Sequence, residues 1–129
     1  MLLLDTSILI RQQKGDVIVK KSLSSLSKRF PAKPSVTFIN IFEYFIGIKQ
    51  LTKRKNEATK FLENFDIINT TENTAEVMAS LRFKYDNLGV QFSLADLIVA
   101  SLAIENNMAL VTSDKDFQNI KELKLELIS

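Results

Sequence analysis

Short apolar segments alternate with amphipathic segments along the whole chain, and this alternation limits the possible folds more than any other feature. The short apolar segments predict buried strands, and apolar positions spaced three and four residues apart predict helices between them. The predicted strands cover residues 2–4, 36–38, 67–68, 109–111 and 125–128, and the predicted helices cover 7–12, 16–29, 39–48, 53–64, 74–88, 93–106 and 114–120. Such alternation indicates an α/β fold, a parallel sheet with helices on both faces. With 129 residues, the chain is predicted to form a single domain over residues 1–129.

The composition excludes several kinds of chemistry. The chain has no cysteine and no histidine, which rules out disulfides, thiolate nucleophiles, Ser-His-Asp triads and ordinary zinc sites. Any catalysis must therefore use carboxylates, hydroxyls, amines or a bound hard cation. Residues 1–60 contain 12 Lys and Arg against 4 Asp and Glu, whereas residues 61–129 contain 5 against 11. This asymmetry favours an anionic partner for the first part, unless folding interleaves the charges.

The location of the protein is predicted from the lack of a membrane-spanning segment and of a signal peptide in the sequence. No apolar run approaches the roughly 20 residues that a membrane-spanning helix needs. The apolar N-terminus reaches Asp5 too early to form the core of a signal peptide. We therefore expect a cytoplasmic protein with no membrane partner.

Acidic residues follow two of the predicted buried strands. Asp5 comes directly after the first strand, and Asp114 and Asp116 follow the strand at residues 109–111. In open parallel sheets the ligand crevice lies beyond the carboxyl ends of the strands, which is where these acids are expected. The alternative is structural, since Asp5 and Asp114 are also good helix caps and Asp116 suits a first helical turn.

Two further acids interrupt predicted helices that are otherwise strongly apolar. Asp96 follows Ser93 at the spacing of a capping box, but it opens a helix that is apolar nearly all round. Glu43 shares one helical stripe with Asn40 and Gly47. That stripe either faces solvent or lines a crevice in which a neighbouring group comes close to the helix.

Four independent coincidences become less plausible when Asp5, Glu43, Asp96 and Asp114 are taken together, because two of these acids follow buried strands and two interrupt apolar helices. If the first and fourth strands are neighbours, Asp5 and Asp114 meet at one edge of the sheet and raise each other's pKa. A divalent cation resolves this repulsion, and Mg²⁺ or Mn²⁺ prefers carboxylate and phosphate oxygens.

Four segments that carry these acids together resemble the PIN-domain family, in particular its VapC-type toxin ribonucleases of prokaryotic toxin-antitoxin pairs. They occur in the family's order and spacing and span almost the whole chain. The segments are Leu3-Leu4-Asp5-Thr6-Ser7, Glu43 with Gly47, Leu94-Ala95-Asp96-Leu97-Ile98-Val99-Ala100, and Leu110-Val111-Thr112-Ser113-Asp114-Lys115-Asp116-Phe117.

The resemblance implies a three-layer α/β/α sandwich around a parallel sheet of four or five strands, with one or two Mg²⁺ or Mn²⁺ ions held by the acids. It implies a metal-dependent endoribonuclease that hydrolyses RNA phosphodiesters with an activated water. The implied metal ligands and catalytic acids are Asp5, Asp96, Glu43 and Asp114, with Asp116 as a substitute because the spacing after Thr112 differs from some relatives. The implied supporting hydroxyls are those of Thr6, Ser7, Thr112 and Ser113.

The same resemblance implies a homodimer and a cognate antitoxin whose C-terminal segment enters the groove. Phe38, Phe42 and Phe45 are candidates to line that groove, although core packing is the more common place for phenylalanine. Candidate contacts to the RNA backbone are Arg11, Lys14, Lys49 and Lys53, for which a solvated basic face is the alternative.

Two other functions fit the same outline less well. A PIN-like module without turnover would bind RNA or a partner only, and four retained acids argue against it. A phospho-receiver domain also uses Asp and Mg²⁺ on an α/β fold, but it would need paired acids after the first strand and an Asp at the end of a middle strand. Here Asp5 is unpaired and Asp66 precedes its predicted strand.

Overall fold

The five strands form one fully parallel sheet in the order β3-β2-β1-β4-β5. The protein is described by a computed structural model that covers residues 1–129. The strands are β1 (Leu2–Leu4), β2 (Ser35–Thr37), β3 (Asp66–Ile68), β4 (Ala109–Thr112) and β5 (Lys124–Leu127). The predicted parallel α/β architecture is confirmed, with five strands.

Six α-helices connect these strands. They are α1 (Thr6–Gln13), α2 (Val17–Arg29), α3 (Phe38–Gly47), α4 (Leu51–Leu62), α5 (Glu72–Asn87) and α6 (Leu94–Glu105), and a short 3₁₀ helix spans Lys115–Asn119. All the helices predicted from the sequence are present, with ends displaced by up to two residues. None of them is both long and apolar enough to cross a membrane.

Helix α3 starts earlier than its sequence predicts. Phe38, expected at the end of a strand, is instead the first helical residue. The cause is a capping box in which the Thr37 hydroxyl accepts from the Asn40 N–H at 3.2 Å, and the Asn40 carbonyl oxygen accepts from the Thr37 N–H at 3.0 Å. Asn40 here fills the position that Glu or Gln takes in the usual motif.

Two apolar cores lie on opposite faces of the sheet. Because successive strand residues point to opposite faces, Leu2 and Leu4 pack into one core and Leu3 packs into the other. Buried residues from α1, α2, α3 and α4 complete the first core, and residues from α5, α6 and the 3₁₀ helix complete the second. The molecule is therefore a three-layer α/β/α sandwich.

Two aromatic side chains on α3 lie outside both cores. Phe38 is 48% exposed and Phe42 is 57% exposed, so the expectation that they belong to the core is wrong. Helix α3 packs on the first core through Ile41, Tyr44 and Phe45, which leaves the rings of Phe38 and Phe42 on its outer face. Phe45 packs against the first core as expected.

The order of the strands leaves a crevice between the first and fourth of them. The chain passes from β1 to β2 on one side of the sheet and later returns to place β4 on the other side. Loops leaving β1 and β4 diverge to opposite sides, and ligand sites of open α/β sheets form at such a point. Leu4 lies opposite Val111 in the register, so Asp5 and Thr112 emerge together at this edge.

The Leu3→Ala variant tests how much the second core contributes to stability. Leu3 is fully buried in the central strand, so its truncation should lower the free energy of unfolding by about 2–5 kcal/mol. Urea unfolding followed by circular dichroism measures the change. The control Leu88→Ala, at a site 65% exposed, should change it by less than about 0.5 kcal/mol. Equal losses in both variants would contradict the assignment of the core.

Candidate active site

Asp5 lies at the carboxyl end of β1 and is only 8% exposed. It occupies the N-cap position of α1, but its side chain makes no capping hydrogen bond. The Thr112 hydroxyl instead donates to Asp5 Oδ2 at 2.7 Å, and the Ser7 hydroxyl donates to the same oxygen at 3.4 Å. Asp5 is therefore the N-cap residue by position but does not cap α1 through its side chain, and its carboxylate lies between β1 and β4, in contact with Thr112.

Burial is the main influence on the acidity of Asp5. Removal of the carboxyl group from water raises its pKa, and the negative charges of Glu43 and Asp114 raise it further. The hydrogen bond from Thr112 acts in the opposite direction because it stabilises the ionised form. The net result is a raised pKa, which is the expected signature of a carboxylate that has no positive partner.

Glu43 reaches the same crevice from α3 and is held there by a chain of hydrogen bonds. The Thr6 hydroxyl donates to Glu43 Oε1 at 2.6 Å, and Asn40 Nδ2 donates to the Thr6 oxygen at 3.1 Å. Asn40 Nδ2 also lies 3.5 Å from Asp5 Oδ1. The stripe of Asn40, Glu43 and Gly47 thus begins inside the crevice, since Asn40 is fully buried, and ends at the exposed Gly47.

Asp96 approaches from the opposite side of the sheet, in the first turn of α6. The Ser93 hydroxyl accepts from the Asp96 N–H at 3.1 Å and caps the helix. The return bond of a capping box, from the Ser93 N–H to the Asp96 carboxylate, is absent, and a hydrogen bond from the Ser93 side chain favours the ionised carboxylate. Burial raises the pKa of Asp96 to about 6, with further contributions from the charges of Asp5, Asp114 and Glu43.

Asp114 and Asp116 differ in their relation to this cluster. Asp114 is half-buried, and its N–H donates to the Thr112 hydroxyl oxygen at 3.0 Å. Its charge raises the pKa of both Asp5 and Asp96, whereas that of Asp116 is not among the causes of either shift. Asp116 is exposed in the 3₁₀ helix, which Asp114 caps by accepting from the Asp116 N–H at 2.9 Å.

The remaining predicted hydroxyls hold the rim of the crevice. The Ser7 hydroxyl accepts from the Ser113 N–H at 3.2 Å, which links α1 to the segment after β4. The Ser113 hydroxyl accepts from Arg11 Nη1 at 2.7 Å. Arg11 also donates to Asp16 at 2.8 Å, so its guanidinium is engaged within the protein. The other predicted RNA contacts, Lys14, Lys49 and Lys53, are exposed and form no ion pair.

The four acids share one edge of the sheet without any neutralising side chain. No lysine or arginine forms a salt bridge with Asp5, Glu43, Asp96 or Asp114. The carboxylates are close enough to raise the pKa of Asp96, yet no three acidic side chains stand at the spacing of metal ligands. An oxygen-only donor set with excess negative charge suits a hard divalent cation. Binding of a metal by these four acids stays a prediction.

Asn40 is a residue of this site that the sequence indicated only indirectly. Its amide nitrogen contacts both Asp5 and Thr6, although only the acids and hydroxyls were predicted to form the site. The available signal was its position on the helical stripe of Glu43. That stripe predicts a shared face but not which polar groups the face will meet.

Comparison with known proteins identifies the family. The sequence pattern of the PIN domain matches residues 2–123. The chain belongs to the PIN domain family. Its crevice of four acids is therefore part of a PIN domain. No curated protein sequence matches the chain at a significant level.

Several solved structures have a similar fold. VapBC2 from Rickettsia felis, bound to a promoter DNA fragment, has a TM-score of 0.86 and 25% identity over 99% of this chain and 98% of that chain. A toxin-antitoxin complex from Klebsiella pneumoniae has a TM-score of 0.75 and 27% identity over 95% of each chain. FitAcB from Neisseria gonorrhoeae, at 21% identity over 97% of this chain and 96% of that chain, has a TM-score of 0.80 and shares the fold.

The raised pKa of Asp96 predicts a dependence of stability on pH in metal-free protein. The folded-state pKa of about 6 exceeds the ordinary value of 3.8, so the folded protein binds this proton more tightly than the unfolded chain. Stability should therefore fall as pH rises from about 4 to about 6 and remain lower above that range. Urea unfolding in EDTA at a series of pH values measures the fall.

Asp96→Asn should reduce this fall and stabilise the metal-free protein at pH 7 by about 1 kcal/mol, allowing for solvent screening of the half-exposed carboxylate. The control Asp116→Asn removes an exposed acid and should show the same dependence of stability on pH as the unmodified protein. Lower stability of Asp96→Asn at pH 7 would show that the Asp96 carboxylate makes a favourable contact, contrary to the proposed repulsion.

Proposed function

We propose that this protein is a metal-dependent endoribonuclease and acts as the toxin of a toxin-antitoxin pair. The observation that supports this function most strongly is the group of four acids at one edge of the sheet, with no lysine or arginine paired to any of them. Membership of the PIN domain family and similarity to VapBC structures support the same function.

In this proposal Asp5 and Asp96 are the principal ligands of Mg²⁺ or Mn²⁺, and Asp114 is the fourth acid rather than Asp116. When bound, the cation would activate a water for attack on an RNA phosphodiester and offset charge on the leaving oxygen. Glu43 would be a further ligand or would orient the attacking water. The absence of histidine and cysteine fits this chemistry, which requires no protein nucleophile.

The hydrogen bonds around the acids give each supporting residue a role. The hydrogen bond from Thr112 to Asp5 favours the ionised carboxylate and so opposes the effect of burial on its pKa. Thr6 fixes the direction of Glu43, and Asn40 fixes Thr6. Ser7 joins Ser113 across the rim and limits movement of the segment that contains Asp114. Such prior alignment lowers the cost of organising the site during reaction.

The proposed partners follow from the same family relation. The similar solved structures include a VapBC assembly and a toxin-antitoxin complex, and we propose an antitoxin and a homodimer for this chain as well. The exposed side chains of Phe38, Phe42 and Ile46, spaced four residues apart on α3, provide an apolar stripe suited to protein contact. We propose that residues 1–129 act as one cytoplasmic domain.

A PIN-like module that binds without cleaving is the second candidate. One observation favours it: no three acidic side chains stand at metal-ligand spacing. A receiver domain is not favoured, because Asp66 opens β3 instead of ending it and lies 3.7 Å from Lys33.

Removal of single acids tests the nuclease. Asp5→Asn and Asp96→Asn should each lower cleavage of single-stranded RNA of random sequence by at least about 100-fold, because each removes a proposed metal ligand. Gel analysis of the RNA products measures the rate, and arrest of growth on expression should disappear in parallel.

The pair Asp114→Asn and Asp116→Asn separates the two candidates for the fourth acid. Asp114→Asn should lose activity, whereas Asp116→Asn should cut RNA within about threefold of the unmodified rate, as surface changes outside a site usually do. Circular dichroism confirms folding of each variant. Cleavage that continues in EDTA would rule out the metal mechanism, and full activity of Asp5→Asn would rule out this site.

Metal binding can be measured without any RNA. A cation at about five times its Kd should stabilise the protein by about 1 kcal/mol, which raises the midpoint of thermal unfolding by roughly 4 °C. The double variant Asp5→Asn/Asp96→Asn should lose this rise in MgCl₂ or MnCl₂, and Asp116→Asn should keep it. KCl at equal ionic strength is the control for general screening. An equal rise in the double variant would contradict binding at these acids.

A further inference from the structure

A cavity of about 350 Å³ lies between the end of α1 and the junction of α3 with α4. Its walls include Gln13 and Lys14 from the end of α1, Gly47 and Lys49 from the end of α3, and Arg54 from the first turns of α4. We call these five residues the basic pocket. The basic pocket is separate from the four acids, none of which lines it.

The charge of the basic pocket is entirely positive. Lys14, Lys49 and Arg54 line it, and no acidic side chain does. Arg54 is paired with Glu57 on its own helix at 2.9 Å, but Lys14 and Lys49 form no ion pair. Three cations in one concave space concentrate positive potential and attract an anionic group.

Two further features make the basic pocket suitable for an anion. The side-chain nitrogen Nε2 of Gln13 is buried and has no hydrogen-bond acceptor. Helix α4 begins beside Lys49, and no side chain caps its first N–H groups. An unpaired donor favours an oxygen-rich ligand, and the positive end of α4 offsets part of the negative charge at the ends of α1 and α3, which also reach the basic pocket.

The same two helices run from the four acids to the basic pocket. Helix α1 starts after Asp5 and ends before Lys14, and α3 carries Glu43 one turn before Gly47. A helical turn rises about 5.4 Å, so the basic pocket begins roughly one turn beyond Glu43. A β-carbon at Gly47 would lie 3.2 Å from Ile10 Cδ1, which shows how closely the two helices approach here.

We propose that the basic pocket binds a backbone phosphate of the RNA strand, a few nucleotides from the bond that is cut. This inference rests on the proposed ribonuclease function and adds a subsite to it. A strand whose scissile phosphate lies at the four acids must continue along one of the surfaces leaving the crevice. The surface along α1 and α3 ends at two unpaired lysines, and lysine is a common ligand of phosphate.

The test compares two pairs of lysines of equal charge. Lys14→Ala/Lys49→Ala removes the unpaired cations of the basic pocket, and Lys55→Ala/Lys60→Ala removes two exposed lysines of α4 outside it. Both pairs are made in the Asp96→Asn background and studied in EDTA, so that bound RNA is not cut. Fluorescence anisotropy measures the affinity for a labelled single-stranded RNA of random sequence at several salt concentrations.

The pocket pair should weaken RNA binding by about tenfold. The slope of log affinity against log salt should also become shallower, by about 0.7 for each phosphate that the protein no longer neutralises. The control pair should weaken binding by less than about twofold. Equal losses in both pairs, or no loss in either, would overturn the proposal. Affinity for poly-glutamate is measured as well. If the pocket pair weakens binding of poly-glutamate as much as binding of RNA, the ligand is an acidic protein segment and the proposal is overturned.

The pocket pair is also made in the protein with Asp96 restored, which can cut RNA. There it should raise KM and leave kcat within about twofold, because the basic pocket contacts the RNA equally in the bound substrate and in the transition state. An unchanged KM or a lost kcat would also overturn the proposal. Binding that depends on the basic pocket in a protein that never cuts RNA would overturn the ribonuclease function but leave the phosphate site intact.

Discussion

Repulsion among unpaired carboxylates is the constraint on which the site depends. Asp5, Asp96, Asp114 and Glu43 share one end of the sheet, and the first two have raised pKa values because burial and mutual charge disfavour ionisation. The hydrogen bond from Thr112 to Asp5 opposes this trend and joins the ends of two adjacent strands. The fold therefore keeps these carboxylates close together, although their repulsion would be relieved if they moved apart.

The two apolar cores explain how the fold can tolerate that repulsion. Leu2 and Leu4 are packed on one face of the central strand and Leu3 on the other, so β1 is fixed from both sides. Helix α6, which carries Asp96, is almost wholly buried beyond its first turn. These apolar contacts hold β1 and α6 in place against the repulsion among the carboxylates at the sheet edge.

The sequence predicted the architecture and the neighbourhood of the acids well, because both depend on simple patterns. Alternation of strands and helices gives a parallel sheet, and acids that follow neighbouring strands of such a sheet emerge at the same edge. It could not decide between Asp114 and Asp116, since that depends on where the 3₁₀ helix begins. The exposure of Phe38 and Phe42 stood only as the alternative to core packing, because phenylalanine is usually buried and only the tertiary structure shows which face of α3 packs on the core. The role of Asn40 required the tertiary structure, which alone brings it to Asp5 and Thr6.

Asn40 uses the two ends of one amide for different purposes. Its oxygen helps to start α3 at Thr37, and its nitrogen holds groups of the acidic crevice. Rotation of the amide by half a turn would present a donor to the backbone and an acceptor to the carboxylate, so each end fixes the orientation of the other. A change at Asn40 would therefore alter the start of α3 and the arrangement of the acidic crevice together.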